Sequence, residues 1–301
     1  MALPLIIVWI LAVVGGGIIG ALIAISVEEI VNYFSQKRIC ILGERRVGKT
    51  ILFDYLSQGV IHTKYYATTH SINVKGRSVL LDDLKLVISA ESMDVTGNPE
   101  GWTEWKKSFK NADYVLYLFR ADLVFPSSLQ DVISNFKNPK IDSNKYTQFI
   151  GIFNGYLEDI PEKPKQLRKT STSETIKGLS VYYENYRKSY IQRFKDDVQL
   201  IKKWQESGDK PIVFVGTHGD FIPKFDYLNM LGKGKLYDTF RNELYTNIPE
   251  LSADDRQNIV VGAFTNEKEF QYYTTIIFKM LKNLSKETPK CKPPKKQASE
   301  P

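Results

Sequence analysis

The chain has 301 residues, 43% of them hydrophobic and 25% charged, so its composition excludes a disordered protein and suits one large domain or two small ones. The net charge of +7 is spread along the chain without a nucleic-acid motif, and we expect no nucleic acid partner. Cys40 stands in an apolar segment and Cys291 in a polar tail, a pattern that excludes a disulfide framework and indicates a reducing compartment.

The chain begins with an uncharged apolar segment of 24 residues, LPLIIVWILAVVGGGIIGALIAIS at positions 3–26. At about 1.5 Å per residue a helix of this length exceeds the ~30 Å hydrocarbon core of a bilayer, so the segment predicts a transmembrane helix. No basic residue precedes it, which disfavours a cleaved signal peptide. Lys37, Arg38, Arg45 and Arg46 follow it, so we expect a single-pass protein with its remaining chain on the cytoplasmic side.

Small residues recur every four positions within this segment, at Gly16, Gly20 and Ala24. Such spacing lets two membrane helices approach closely and makes a homodimer possible. The alternative is that glycine is simply common in membrane helices. Residues 27–37 are expected to continue the helix to the first strand.

A phosphate-binding signature follows, in the segment CILGERRVGKTILFDYL at positions 40–56. GERRVGKT fits G-x-x-x-x-G-K-[ST] and lies between a predicted strand and a predicted helix, as phosphate binding requires. Backbone N–H groups of such a loop hold phosphates, the lysine reaches the β and γ phosphates, and the threonine hydroxyl ligates magnesium. The candidate nucleotide-binding residues here are Gly43, Glu44, Arg45, Arg46, Val47, Gly48, Lys49, Thr50 and Ile51.

Further magnesium ligands are expected from the next segments. MDVTG supplies Asp94 and Gly97, a carboxylate that can hold magnesium and a glycine N–H that can sense the γ-phosphate. YATTHSINV precedes it, and either Thr68 or Thr69 can supply another ligand. We take Thr69 as the candidate, together with Thr50 and Asp94.

Three later segments read as buried strands that end in polar residues. NADYVLYLFRAD ends in Asp122, KPIVFVGTHGD ends in Thr217, His218 and Asp220, and NIVVGAFTN leads to the loop 262–264, which contains Gly262, Ala263 and Phe264. A carboxylate at position 220 can accept hydrogens from N1 and N2 of guanine, which adenine does not offer.

Residues 123–209 form a long insertion between two of these strands. PSSLQDVISNFKN predicts a helix, and YTQFIGIFNGYL fits a strand or a helix. The basic stretch at 161–174 is either a solvated loop or a surface for anionic lipid or an acidic partner. A long amphipathic helix is expected from a capping box at Ser171 and Glu174 to about Gln205.

The order of these motifs resembles the Ras-like, translation-factor-class GTPases over residues 37–284. The resemblance implies an α/β fold, a doubly wound and mostly parallel sheet of the P-loop type, with GTP or GDP and Mg²⁺ as ligands. With residues 1–36 as membrane anchor and juxtamembrane helix, the layout is similar to that of the signal recognition particle receptor beta subunit. Residues 285–301, rich in proline and lysine, are expected to be a disordered basic tail.

The chain departs from that family's pattern at three places. THGD replaces N-K-x-D, so His218 must take over the lysine's packing on the base. Asn98 stands where many members carry a glutamine that orients water. Arg45 and Arg46 stand where some family members have two glycines. Four alternatives are open for them: they obstruct the γ-phosphate, one acts as an arginine finger in cis, they contact lipid or a partner, or they face solvent.

These observations predict a membrane-anchored GTP-binding protein, a slow Mg²⁺-dependent GTPase switch that recruits or releases a cytoplasmic protein partner. The candidate catalytic residues are Lys49, Asn98 and Arg45. The alternatives are a non-cycling GTP-binding scaffold and a GTP-dependent membrane remodeller or assembly factor.

Overall fold

The computed structural model describes eleven stretches of the chain, at residues 38–44, 46–58, 72–74, 85–88, 99–136, 143–162, 164–206, 210–223, 225, 235–251 and 258–287. Residues 3–26, the predicted membrane segment, lie outside the described residues, as do the juxtamembrane helix and most of the predicted tail, from residue 288 onwards. The first three residues of that tail, 285–287, belong to the described helix Glu267–Glu287, so the disorder predicted for them is wrong. Within the described stretches, no helix is long and apolar enough to cross a membrane. The predicted anchor therefore stays a prediction.

Among the described residues, six strands form one sheet in the order β2-β3-β1-β4-β5-β6. Neighbouring strands run parallel, except that β2 is antiparallel to β3. The strands are β1 Arg38–Gly43, β2 Ile72–Val74, β3 Lys85–Ile88, β4 Tyr114–Arg120, β5 Ile212–Thr217 and β6 Ile259–Val261.

Helices cover both faces of this sheet, because the central strands are apolar on both sides. All residues of β4 and β5 are buried, as parallel strands between two helical layers must be. The helices are α1 Lys49–Gln58, α2 Pro99–Asn111, α3 Ala121–Val124, α4 Leu129–Phe136, α5 Ser143–Glu158, α6 Ser173–Gln205, α7 Lys235–Asn247 and α8 Glu267–Glu287. The buried hydrophobic residues form two clusters. In one cluster α1 and α8 pack on the sheet, and the other joins residues of α2 to α7 with residues of the sheet. The predicted mostly parallel α/β sheet is confirmed.

The insertion is helical throughout its described elements. The ambiguous segment YTQFIGIFNGYL lies in α5, and its aromatic residues pack between α4 and α6. The capping box predicted at Ser171 is wrong by one residue, because the N-cap of α6 is Thr172, whose hydroxyl accepts from the N–H of Thr175. Ser171 instead accepts a hydrogen bond from the N–H of Arg168. The strand expected to end at Asp122 ends at Arg120.

Buried polar contacts fix α6 on β4. The hydroxyl of Tyr190 accepts from the N–H of Arg120 at 2.7 Å, and the hydroxyl of Tyr117 donates to Asp197 at 2.6 Å. Burial raises the pKa of Asp197 to about 8, so this carboxyl carries a proton at neutral pH. Arg120 also makes a buried two-point ion pair with Asp122. These contacts set the register of the 33-residue helix on the sheet.

Candidate functional site

The phosphate loop joins β1 to α1, and two glycines allow its path. Gly43 has φ 138°, and a Cβ there would lie 2.3 Å from the carbonyl oxygen of Leu118, which neighbours it in the sheet. Gly48 has φ 88°, and its carbonyl accepts the N–H of Leu52 as the helix begins. Side chains would strain both positions, so the sequence pattern and the backbone geometry agree.

Lys49 closes this loop from within. Its side chain is 1% exposed, and its Nζ donates to the carbonyl oxygens of Gly43 at 2.8 Å and Glu44 at 2.5 Å. A buried ammonium is thus held against the loop backbone, where a phosphate group bound by the loop would meet a positive charge.

Thr50, the predicted magnesium ligand, is the second residue of α1 and is half-buried. The other predicted metal and switch residues lie outside the described residues and stay predictions; they are Thr69 with its alternative Thr68, Asp94, Gly97 and Asn98. Among the residues that are described, no three His, Cys, Asp or Glu side chains form a group able to hold a metal ion. A hydroxyl at the start of the helix after the loop fits magnesium held between protein and phosphates.

One of the two loop arginines turns towards the insertion. Arg45 lies outside the described residues, whereas Arg46 has φ 62° and is exposed. Its guanidinium covers Gly155 of α5, since a Cβ at Gly155 would lie 2.7 Å from Nη1 of Arg46. Arg46 therefore contacts the chain's own insertion, a neighbour that the sequence did not suggest.

Glu44 is also tied to the insertion. Its side chain is 7% exposed, and its carboxylate accepts a short hydrogen bond from Nε of Arg193 on α6. Arg193 additionally donates to Ser189 at 2.6 Å. Burial raises the pKa of Glu44, although Arg193 opposes the shift. Because its carboxylate is paired with Arg193, we expect Glu44 to contact a nucleotide through its backbone and not through its side chain.

Thr217 connects the phosphate loop to the segment after β5. Its hydroxyl donates to the carbonyl oxygen of Val47 at 3.0 Å and also lies 3.2 Å from that of Phe119. His218 follows in a left-handed conformation at φ 58°, with Nδ1 2.9 Å from the Thr217 hydroxyl and its ring 5.3 Å from that of Phe221. Burial lowers the pKa of His218 well below its usual range, so the imidazole is neutral.

Asp220 lies in the 3₁₀ turn Gly219–Phe221 and faces a lysine from the insertion. Its Oδ2 is 3.4 Å from Nζ of Lys145 on α5, and the Asp220 side chain is only 9% exposed. Burial raises the pKa of Asp220 to about 6, while Lys145 acts in the opposite direction. The carboxylate is therefore ionised at neutral pH and able to accept two hydrogen bonds.

The loop after β6 lies against this turn. The N–H of Gly262 donates to the carbonyl of Gly216 at 2.8 Å, and its own carbonyl accepts from Gly219 at 3.0 Å. A Cβ at Gly262 would meet the ring of Tyr273 at 2.5 Å, so glycine is required for this approach. Ala263 is buried, and Phe264 has φ 55° and packs on Tyr273.

These segments surround one cavity of about 580 Å³, a size typical of small-molecule sites. It lies at the carboxyl ends of the parallel strands, where such sheets bind ligands. The insertion lines it too, through the first turns of α5. Its lining includes Val47, Gly48, Ile51, Asn144, Lys145, Thr147, Gln148, Thr217, His218, Asp220, Ala263 and Phe264.

The chain is similar in structure to GTP-binding proteins. A probable GTP-binding protein engB is 10% identical and has a TM-score of 0.40, with 82% of this chain and 99% of that chain covered. The ADP-ribosylation factor-like GTP-binding protein, or small COPII coat GTPase SAR1, from Encephalitozoon cuniculi in complex with GDP is 12% identical, with a TM-score of 0.44 and coverages of 88% and 91%.

A GTP-binding protein from the hyperthermophilic archaeon Sulfolobus solfataricus in complex with GDP is 14% identical and has a TM-score of 0.36, with 87% of this chain and 56% of that chain covered. No protein-family model and no curated protein sequence matches the chain. Similarity this distant does not show what this chain binds.

Sequence reasoning missed the part of the site that comes from the insertion. Lys145 and Gln148 line the cavity, and Arg193 binds the phosphate loop, yet all three belong to helices whose sequence shows only amphipathic periodicity. The available signal was weak: polar residues at 144, 145 and 148 lie on one side of a helix whose other side is aromatic.

Proposed function

We propose that the chain binds guanine nucleotides in this cavity. The observation that carries the proposal is that Asp220 and the phosphate loop line the same cavity, and that Thr217, three residues before Asp220, donates a hydrogen bond to the loop at Val47. The loop backbone and Lys49 suit the phosphates. The ionised Asp220 suits the N1–H and N2–H groups of guanine, and an adenine base would leave that carboxylate desolvated and unpaired.

Nucleotide binding to the purified full chain in detergent tests this proposal. We expect GDP and GTP to bind and ATP to compete poorly. Asp220→Asn should lose guanine affinity while the phosphate loop stays intact, and Lys49→Met should weaken binding of either purine nucleotide. Preference for ATP in the wild type would overturn the assignment of Asp220.

We further propose that the chain hydrolyses GTP slowly and needs Mg²⁺ to do so. Thr50, Thr69 and Asp94 would hold the ion, which neutralises charge that develops on the phosphates. Lys49 would bind the transferred phosphoryl group, and Asn98 would orient water. Single-turnover hydrolysis by Arg45→Gly and Arg46→Gly distinguishes the roles of the arginines: a lower rate indicates a finger, and a higher rate indicates obstruction. Since Arg46 contacts Gly155, we expect little change from Arg46→Gly.

The physiological role that we propose is a membrane-anchored switch. The apolar segment 3–26 supports anchoring, and the switch role rests on the nucleotide binding proposed for the cavity. Membrane fractionation of the full chain and of a chain lacking residues 1–36 tests the anchor. Proteins that co-purify with the GTP-bound but not the GDP-bound form identify the partner. GTP binding without any hydrolysis above background would favour the scaffold.

A further inference from the structure

Helix α5 of the insertion lines the candidate nucleotide cavity with its first turns and then continues to the phosphate loop. Lys145, in its first turn, faces Asp220, and Gly155, ten residues later, lies beneath Arg46 of the phosphate loop. Ten helical residues cover about 15 Å, so one helix extends from the turn Gly219–Phe221, which we call the base-reading turn because it contains Asp220, to the phosphate loop. Gln148, one turn after Lys145, lines the cavity between these two ends.

The position of α5 is fixed by its opposite, aromatic side. Phe149 packs on Phe221, the residue after Asp220, with ring centroids 5.8 Å apart, and on Tyr183 of α6 at 6.2 Å. Further along, the Asn154 side chain accepts from and donates to the backbone of Leu167, at 2.8 and 2.9 Å. Lys145 is therefore presented to the cavity by a helix that is anchored both to the base-reading turn and to the rest of the insertion.

Lys145 and Asp220 place a donor and an acceptor side by side. Their 3.4 Å separation is longer than the roughly 2.7–2.9 Å of a good charge-assisted hydrogen bond, and Lys145 stays 23% exposed towards the cavity. Guanine presents the matching arrangement on one edge, where the O6 acceptor adjoins the N1–H and N2–H donors. Adenine presents an N6–H₂ donor where guanine has O6, and that donor would face the lysine ammonium.

We propose that Lys145 is a specificity-determining residue, which donates to O6 of guanine while Asp220 accepts from N1–H and N2–H. This inference rests on the proposed guanine-nucleotide binding. It assigns the insertion a role in base selection: the insertion supplies a cationic donor at the position where the base carries its acceptor. A hydrogen bond to a charged group is worth enough that its loss lowers affinity roughly 10- to 100-fold.

The test compares equilibrium dissociation constants of GDP, 6-thio-GDP, IDP and ADP for the full chain at about pH 7.5. 6-Thio-GDP carries a weaker acceptor at position 6, and IDP lacks the N2 amino group. The variants are Lys145→Met, Lys145→Arg and Asp220→Asn, with Lys177→Met, an exposed lysine of α6, as the matched control. Comparing two ligands on one variant cancels any change in the ionisation of Asp220.

We expect wild type and Lys177→Met to prefer GDP over 6-thio-GDP. Lys145→Met should lose at least about 10-fold in GDP affinity and bind the two ligands equally, while it keeps the penalty for IDP; Lys145→Arg should keep most of the preference. A Lys145→Met variant that binds GDP as tightly as wild type, or more tightly, or that still discriminates against 6-thio-GDP overturns the inference. Failure of wild type and Lys177→Met to bind GDP at all overturns instead the proposed function.

Discussion

Replacing Arg193 with methionine tests how far the phosphate loop depends on the insertion. Arg193 reaches from α6 to the carboxylate of Glu44, the loop residue directly after Gly43. Methionine keeps most of the aliphatic volume and removes the charge. The Glu44 side chain, which is 7% exposed in the wild type, then loses its cation, and the loop loses this ion pair with α6.

Breaking a buried ion pair by removing one partner costs about 3–5 kcal/mol, because the remaining charge is left uncompensated. Two features of this pair reduce the cost. Arg193 is 27% exposed, so water can enter near Glu44 once the guanidinium is gone. Burial already raises the pKa of Glu44, so the carboxyl takes up a proton more readily than an ordinary one. We therefore expect a loss of about 2–3 kcal/mol, or about 4–12 °C in unfolding temperature.

Urea and thermal unfolding of the full chain in detergent measure this loss. The matched control is Arg241→Met, which removes an ion pair with Asp238 whose side chains are 43% and 52% exposed and which should cost less than about 1 kcal/mol. A double variant, Glu44→Gln with Arg193→Met, should recover most of the loss because the buried charge is gone. A buried ion pair between Glu44 and Arg193 is contradicted if Arg193→Met costs no more than the control, or if the double variant is no more stable than Arg193→Met.

Three further predictions concern the ionisable side chains of Asp197, Lys210 and Asp220. Burial raises the pKa of Asp197 from 3.8 to about 8. The contribution of its protonated carboxyl to folding stability is fully present below pH 3.8 and is lost as pH rises through about 8. The unfolding temperature of Asp197→Asn relative to wild type should therefore increase between about pH 5 and pH 9, and a difference that does not change with pH would contradict this. Lys210 donates from Nζ to three carbonyl oxygens at the end of α2 and just after it, those of Phe109 at 2.8 Å, Lys110 at 2.7 Å and Ala112 at 2.5 Å. Lys210→Met should therefore lower the free energy of unfolding in urea by about 1–2 kcal/mol. An unchanged midpoint would show that water replaces the ammonium group as donor. Because Asp220 has its pKa raised to about 6, GDP affinity should fall as pH drops through that value, and Asp220→Asn should bind weakly without this dependence; a flat wild-type profile between about pH 5 and 7.5 would argue against a carboxylate reading the base.

The sheet could be predicted because its information is local. The strands β1, β4 and β5 are continuous apolar runs, and such runs are buried wherever helices cover both faces of a sheet. The phosphate loop could be predicted for the same reason, because its glycines and the strand and helix on either side of it all lie in one short segment of the sequence. The cap of α6 was misplaced by one position because serine and threonine are both good N-caps and they alternate there.

The sequence by itself determined that a loop with the phosphate-binding signature follows the first strand and that Asp220 follows a buried strand, and the order of its motifs implied a mostly parallel sheet through the family resemblance. Only the tertiary structure decided which side chains meet at that site. Glu44 and Arg193 are 149 positions apart, and Lys145 and Asp220 come together because aromatic packing sets α5 against the turn that follows β5. Amphipathic periodicity states which side of a helix is buried, but not which strand end its polar side will face. Which strand end a helix faces depends on packing between elements that are distant in the sequence. In this chain, that packing places residues of the insertion in the candidate nucleotide site.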